Sequence, residues 1–403
     1  MSEPTVTTTV SDRFLRHEQI DGFSQAAVSR LKVVVIGAGA IGNEVIKNLV
    51  LLGVGQSPTA PINLYDFDRV EKHNLTRSVL LRESDIGQSK ATAVAHHART
   101  LDPNAHLAAF DGDIADTLSL DAVAAADVVF GCVDNFEARI RINQLCLLAG
   151  TAWINTAIDS RYASVEVFPL NGPSQSPCYE CTLPASVYEK MAERRSCGGL
   201  LKTALARQIM PTTTLTTSLA AALAVNQALV LTGCDTRAPT PGAATDVPPA
   251  TRLFTDSLTG ITTRSEIPSV SLCACCDALP WRVTPAGSAL TGSELRQIIG
   301  AEKLSDHPDP TVCLSDALIA SAACTHCGAQ AATDQLAGRR AAAVPDGVIL
   351  CSRCGQTSVA IEIRDQFALA ELSALIGNRR IPGSWVEIGG KYISLGKPGR
   401  ENP

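Results

Sequence analysis

Leu31 to Ile36 (LKVVVI) is a continuous apolar, β-branched run that stops at Gly37, the pattern of a strand covered on both faces. Behind it Ile41, Val45, Ile46, Leu49 and Leu52 recur at helical spacing and Gly53 follows, which predicts a helix over 41–52 closed by a glycine. Further strands are expected at 62–68, 127–133, 152–156 and 163–169, and helices at 90–100 and 135–149. Strands alternating with helices predict an α/β unit with a mostly parallel, doubly wound sheet. The apolar stretch 215–231 is interrupted by Thr216, Thr217, Ser218, Asn226 and Gln227, which suits a helix packed in protein, so no membrane span is expected. The run DTRAPTPGAATDVPPATR, 235–252, has no hydrophobic period and reads as a linker. The expected organisation is a helical lead-in (1–30), the α/β domain (31–235), a linker or loop (236–270) and a cysteine-rich C-terminal region (271–403).

Composition narrows the functional classes. With 45% hydrophobic residues in 403, the chain can bury a sizeable core. A net charge of -6 and the lack of a Lys/Arg cluster argue against a nucleic-acid surface. The N-terminus MSEPTVTTTVSDRF has no positively charged start followed by an apolar run, so no secretory signal is expected. Most of the fourteen cysteines fall in C-x2-C-like pairs, which favours thiolate metal ligation in a reducing cytoplasm over a disulfide framework.

Gly37, Gly39 and Gly42 form G-x-G-x-x-G between the first strand and its helix, a Rossmann-like loop whose backbone N–H groups can approach a phosphate. Asp66 and Asp68 end the next strand, where a dinucleotide fold places its ribose-binding carboxylate. Those two features alone also fit an NAD-dependent dehydrogenase. The following stretch, YDFDRVEKHNLTRSVLLRESDIGQSKA, carries Asp-x-Asp-x-Val-Glu, Asn-Leu-x-Arg and Gly-x-x-Lys in order. In this the chain resembles the ThiF/MoeB-type adenylyltransferases and the adenylation domains of ubiquitin-activating enzymes. RFLRHEQIDGF, VDNFEARIRIN, PCYEC and a Pro-Thr turn before an apolar helix extend the resemblance over about 12–235, with Ser78 standing where the family usually has Gln.

The resemblance implies adenylation of the C-terminal glycine of a ubiquitin-like protein by ATP and Mg²⁺. Adenylate transfer to a carboxylate brings two anions together at the α-phosphate, so the site needs fixed positive charge and a metal, which hydride transfer does not. Arg77 and Lys90 can supply the charge, Asn74 can bond phosphate oxygens, and Asp134, just after the strand 128–133, can hold Mg²⁺. Asp66 would take the ribose hydroxyls. By resemblance Arg16, rather than Arg13, would reach the ATP of a partner subunit, implying a homodimer.

Cys178 and Cys181 (PCYEC) supply half of a tetrahedral zinc site. In the resembled family a later pair completes it, and here Cys273 with Cys276 fits, although Cys275 could replace either. Cys324 with Cys327 and Cys351 with Cys354 form C-x2-C-x23-C-x2-C, which reads as a separate zinc ribbon; redox-active C-x-x-C chemistry is the competing reading, and crossed pairing between the sites stays open. Cys132 and Cys146 lie in apolar patterns and read as core. Cys197, in AERRSCGGL, has Arg194 and Arg195 before it to favour thiolate and two glycines after it to allow approach. It follows PCYEC at about the interval of the family's acceptor cysteine, in a loop near 185–210, and is expected to take the acyl group as a thioester. The chain resembles most the activating enzymes of bacterial ubiquitin-like conjugation pathways in antiviral defence operons, which act with a conjugating enzyme. The alternative is a sulfur-carrier adenylyltransferase of thiamine or molybdopterin-type biosynthesis. The C-terminal region is expected to dock a protein partner.

Overall fold

The computed structural model describes residues 12–170, 176–188, 212–237, 249–271, 273, 275–277, 290–329, 336–341, 351–356 and 359–395. Eight strands form the main sheet: β1 (Val33–Ile36), β2 (Ile62–Asp66), β3 (Leu107–Asp111), β4 (Val128–Gly131), β5 (Ala152–Ile158), β6 (Tyr162–Phe168), β7 (Thr251–Asp256) and β8 (Thr262–Glu266). Their order is β3-β2-β1-β4-β5-β6-β7-β8, parallel from β3 to β5 and antiparallel from β5 onward. The expected mostly parallel α/β core is therefore present. The stretch expected as a linker in fact contributes β7 and β8: β7 pairs with β6 and buries alternate residues, and β8, exposed at all five residues, is held by backbone pairing to β7.

Helices cover both faces. α1 (Leu15–Glu18) and α2 (Gln25–Val28) lead in; α3 (Ala40–Leu52) and α4 (Lys90–Leu101) lie on one face. On the other lie α5 (Ile114–Thr117), α6 (Leu120–Ala124) and α7 (Phe136–Ala149). Val33 and Val35 of β1 join the first face's core while Val34 and Ile36 join the second, which is why this strand is apolar throughout. Gly53 ends α3 in the left-handed region at φ 92°, where its N–H reaches Leu49 and Val50 carbonyls. The long apolar helix α8 (Thr214–Leu231) could cross a membrane by length and composition alone. Here it packs on α3, β5 and β6, with Ala220, Ala221, Ala224 and Ala228 fully buried.

A second, antiparallel sheet has the order β10-β9-β11-β12, from β9 (Thr311–Cys324), β10 (Val359–Ala368), β11 (Trp385–Ile388) and β12 (Lys391–Ser394). It has its own apolar core with α9 (Gly292–Ala301) and α10 (Leu369–Ile376). It meets the main domain through ion pairs. Arg340, 4% exposed, reaches Asp116 at 2.5 Å and Asp113 at 3.5 Å, while Arg141 pairs with Asp316. Trp385 and Tyr392 pack onto the core between the main sheet and α7.

Candidate functional site

The carboxyl ends of β1, β2 and β4 converge on the glycine loop. Each of its glycines has a separate reason. Gly37 sits at φ 99°, and a Cβ there would lie 2.4 Å from the Cys132 carbonyl oxygen; one on Gly42 would lie 1.8 Å from the Gly37 oxygen. Gly39 caps α3, and a Cβ on it would meet nothing within 4 Å. The loop is thus packed tightly against β4 and α3 yet open at Gly39, where a phosphate can approach the first amides of the 13-residue helix.

Asp66 closes this loop from the end of β2. Its Oδ2 accepts from the Ala38 N–H at 2.6 Å and its Oδ1 from the Asp68 N–H at 2.7 Å. Burial raises its carboxyl above the usual range, against the lowering effect of those two N–H groups and of Lys90. Two acceptor positions are occupied by backbone, so Asp66 also braces the loop. Asp68 points elsewhere: its Oδ2 takes the Lys90 ammonium at 2.7 Å, and Lys90, the first residue of α4, is 8% exposed.

Between Asp68 and Lys90 the chain makes a closed excursion. Val70 N–H reaches the Gln88 oxygen at 2.9 Å, Gly87 N–H reaches the Val70 oxygen at 2.9 Å, and Lys90 N–H returns to the Asp68 oxygen at 2.9 Å. Asn74, 7% exposed, accepts the Glu71 N–H on its Oδ1 at 2.9 Å, so its carbonyl caps a turn and its NH2 is the group suited to a phosphate oxygen. The half-buried Arg77 donates to the His73 oxygen at 2.6 Å. His97 of α4 braces the same excursion by a 2.9 Å contact to buried Asp85.

Asp134 is exposed in the turn between β4 and α7, where Asn135 caps the helix by accepting the Ala138 N–H at 2.8 Å. Arg139 fixes this turn by donating to the Val133 oxygen at 2.8 Å and the Thr156 oxygen at 3.4 Å. Arg13 is held to the core by the Leu101 oxygen at 2.7 Å and Asp102 at 3.0 Å, whereas Arg16 is exposed on α1. Cys197 lies outside the described residues. Cys132 and Cys146 are core thiols: burial pushes Cys132 up to about 12 and Cys146 well above its usual range.

The cysteine pairing is settled by geometry. Cys178, Cys181, Cys273 and Cys276 bring their sulfurs within 4.8 Å of one another, as do Cys324, Cys327, Cys351 and Cys354, so no pairing is crossed. Each set can hold one zinc tetrahedrally. Cys275 touches Cys178 but is not one of the four; buried Asn143 of α7 donates to its sulfur at 3.2 Å while accepting the Tyr179 N–H at 2.9 Å. The second site has two matching knuckles: Gly328 N–H reaches the Cys324 oxygen at 2.9 Å and Gly355 N–H the Cys351 oxygen at 2.8 Å, each glycine at positive φ. Because this site crowns the β9–β10 arm, Cys354→Ser is expected to lower the zinc bound by the chain by one ion without loss of the main domain's fold, measured by metal analysis beside circular dichroism.

Sequence reasoning passed over Asn43, Arg139 and Asn143. Each is a polar helix residue whose contacts only the fold reveals, although Asn43 interrupts an otherwise apolar start to α3.

Comparison with known proteins follows the same lines. A family model described as the ThiF family matches residues 12–266. The chain is 32% identical over 178 residues to the sulfur carrier protein adenylyltransferase of Thermus thermophilus, covering 43% of this chain and 64% of that one. It is 31% identical over 177 residues to adenylyltransferase and sulfurtransferase MOCS3 of Mus musculus, covering 44% and 37%. It is 28% identical over 179 residues to ubiquitin-like modifier-activating enzyme 5 of Dictyostelium discoideum, covering 41% and 45%. The chain thus spans less than two thirds of the length of these relatives. The crystal structure of E. coli MccB with AMPCPP and MccA shares the fold, with a TM-score of 0.51 at 24% identity over 67% of this chain and 75% of that one.

Proposed function

The chain belongs to the ThiF family, and from that premise we propose that it adenylates the C-terminal carboxylate of a small ubiquitin-like protein with Mg-ATP. The observation that carries the reading is the pairing of an open glycine loop with the Asp68–Lys90 contact at the next helix start, an anion cradle with a cation beside it. A dehydrogenase does not require that cation. In this reading the Gly37, Gly39 and Gly42 loop takes the phosphates, Asp66 faces the ribose, and Asn74, Arg77 and Lys90 stabilise charge at the α-phosphate. Asp68 keeps Lys90 in place beside the loop, and Asp134 would hold magnesium, which would supply positive charge to the phosphate oxygens when bound. Both four-cysteine sites hold structural zinc.

The finer steps extend the proposal. Cys197 attacks the acyl-adenylate, its sulfur bonding to the carbonyl carbon as AMP leaves, and the thioester passes to a conjugating enzyme, as in a bacterial antiviral conjugation pathway. Arg16 completes the site of a second subunit in a cytoplasmic homodimer. Sulfur-carrier activation remains the alternative, favoured by the similarity to the Thermus thermophilus enzyme. Intact-mass measurement of a Gly-terminated ubiquitin-like protein incubated with enzyme and Mg-ATP tests the sequence of steps. The wild type is expected to give a carboxyl-AMP species and a thiol-sensitive enzyme adduct. Cys197→Ser is expected to keep the first and lose the second; loss of both, or of neither, contradicts the role given to Cys197.

A further inference from the structure

Asn43 is fully buried one turn into α3 and uses its whole carboxamide. Its Nδ2 donates to the Ala38 oxygen at 2.7 Å and to the Gly39 oxygen at 2.9 Å. Its Oδ1 accepts the Leu80 N–H at 3.0 Å. Two consecutive glycine-loop carbonyls and the excursion bearing Asn74 and Arg77 therefore meet on one side chain.

The consequence follows from peptide geometry. In a planar trans peptide the C=O and the following N–H point in opposite directions. The Gly39 oxygen also accepts the Asn43 N–H at 2.9 Å, and drawing the Ala38 and Gly39 carbonyls to Asn43 turns the following Gly39 and Ala40 N–H groups away from it. The same carboxamide sets the distance between that cradle and the Arg77 loop, since Leu80 lies three residues beyond Arg77. We propose that Asn43 is a positioning residue that preorganises the phosphate-binding amides of Gly39 and Ala40 and locks them in register with the Asn74–Arg77 loop. This rests on the adenylation reading given above.

A positioning role differs from a packing role in what it discriminates. Asn43→Asp keeps the size and the acceptor for Leu80 but removes the donor to both carbonyls. Asn43→Ser keeps one hydroxyl, which can still reach the Gly39 oxygen one turn back. Binding of ATP and of adenosine to each variant is measured by calorimetric titration, with pyrophosphate exchange alongside. Asn43→Asp is expected to weaken ATP about tenfold or more, the scale of one lost hydrogen bond to a charged group, while adenosine stays within about twofold. Asn43→Ser should fall between it and the wild type, and it carries the test alone if the aspartate variant does not fold. Equal weakening of ATP and adenosine, or no weakening of either, overturns the inference. A wild type that binds no ATP overturns the adenylation reading itself, so the two failures are distinct.

Discussion

Lys90→Ala is expected to slow adenylation about 100- to 1000-fold, the usual consequence of removing one preorganised charge from a developing anion. Lys90 begins α4, is 8% exposed, and has its ammonium 2.7 Å from Asp68 at the end of the glycine-loop strand pair. Its position is therefore fixed before any substrate arrives, and little reorganisation is needed when charge develops. The cost to folding should be small. Asp68 is half-exposed, so the carboxylate left behind returns to water and no unpaired charge stays buried. The check is kcat/KM for ATP-pyrophosphate exchange beside a thermal melt. A large rate loss with an almost unchanged melt is expected, whereas a collapsed melt would make Lys90 structural.

Cys178→Ser is expected to have the largest effect on stability. Its sulfur lies 3.7 Å from that of Cys273 and 4.0 Å from that of Cys181, and Cys178, Cys273 and Cys276 are part of the core beneath α7. Burial raises the Cys276 thiol above its ordinary range, so thiolates here need a cation to be stable. A structural zinc contributes about 10–16 kcal/mol in isolated zinc-binding peptides, comparable with the whole stability of a domain. Loss of one ligand should therefore leave little soluble protein, or one zinc per chain and a melting point many degrees lower. Cys275→Ser is the internal control. Although it touches Cys178, it is not one of the four clustered sulfurs and it takes a hydrogen bond from Asn143, so zinc content should stay at two per chain. A zinc loss in Cys275→Ser equal to that in Cys178→Ser would contradict the ligand assignment.

These contrasts show where sequence was sufficient. β1 and α3 were legible because their burial follows the apolar pattern: all four residues of β1 are buried, and α3 buries the stripe Ile41, Val45, Ile46 and Leu49 and ends where Gly53 adopts a left-handed conformation. β8 was not, because all five of its residues are exposed and its place is set by backbone pairing to β7. β3 was missed for a similar reason, since only Leu107 of its five residues is buried. Among site residues, the paired cysteines were readable as ligands, but the exclusion of Cys275 depends on Asn143, 132 residues away in sequence. Asp66 and Asp68 look equivalent in Asp-x-Asp, but β2 ends at Asp66, and the chain that leaves the strand there carries Asp68 to Lys90 while Asp66 takes the Ala38 amide. Asn43 could not be identified without the loop that folds back onto it.

The central claim is that this pocket activates a carboxylate with ATP, and its most direct test is ATP-pyrophosphate exchange by the purified chain with and without a Gly-terminated ubiquitin-like protein. Exchange is expected only with that protein and Mg²⁺ present, and it should be lost on deleting the terminal glycine. Absence of exchange, together with saturable binding of a nicotinamide dinucleotide that Gly39→Val abolishes, would contradict it.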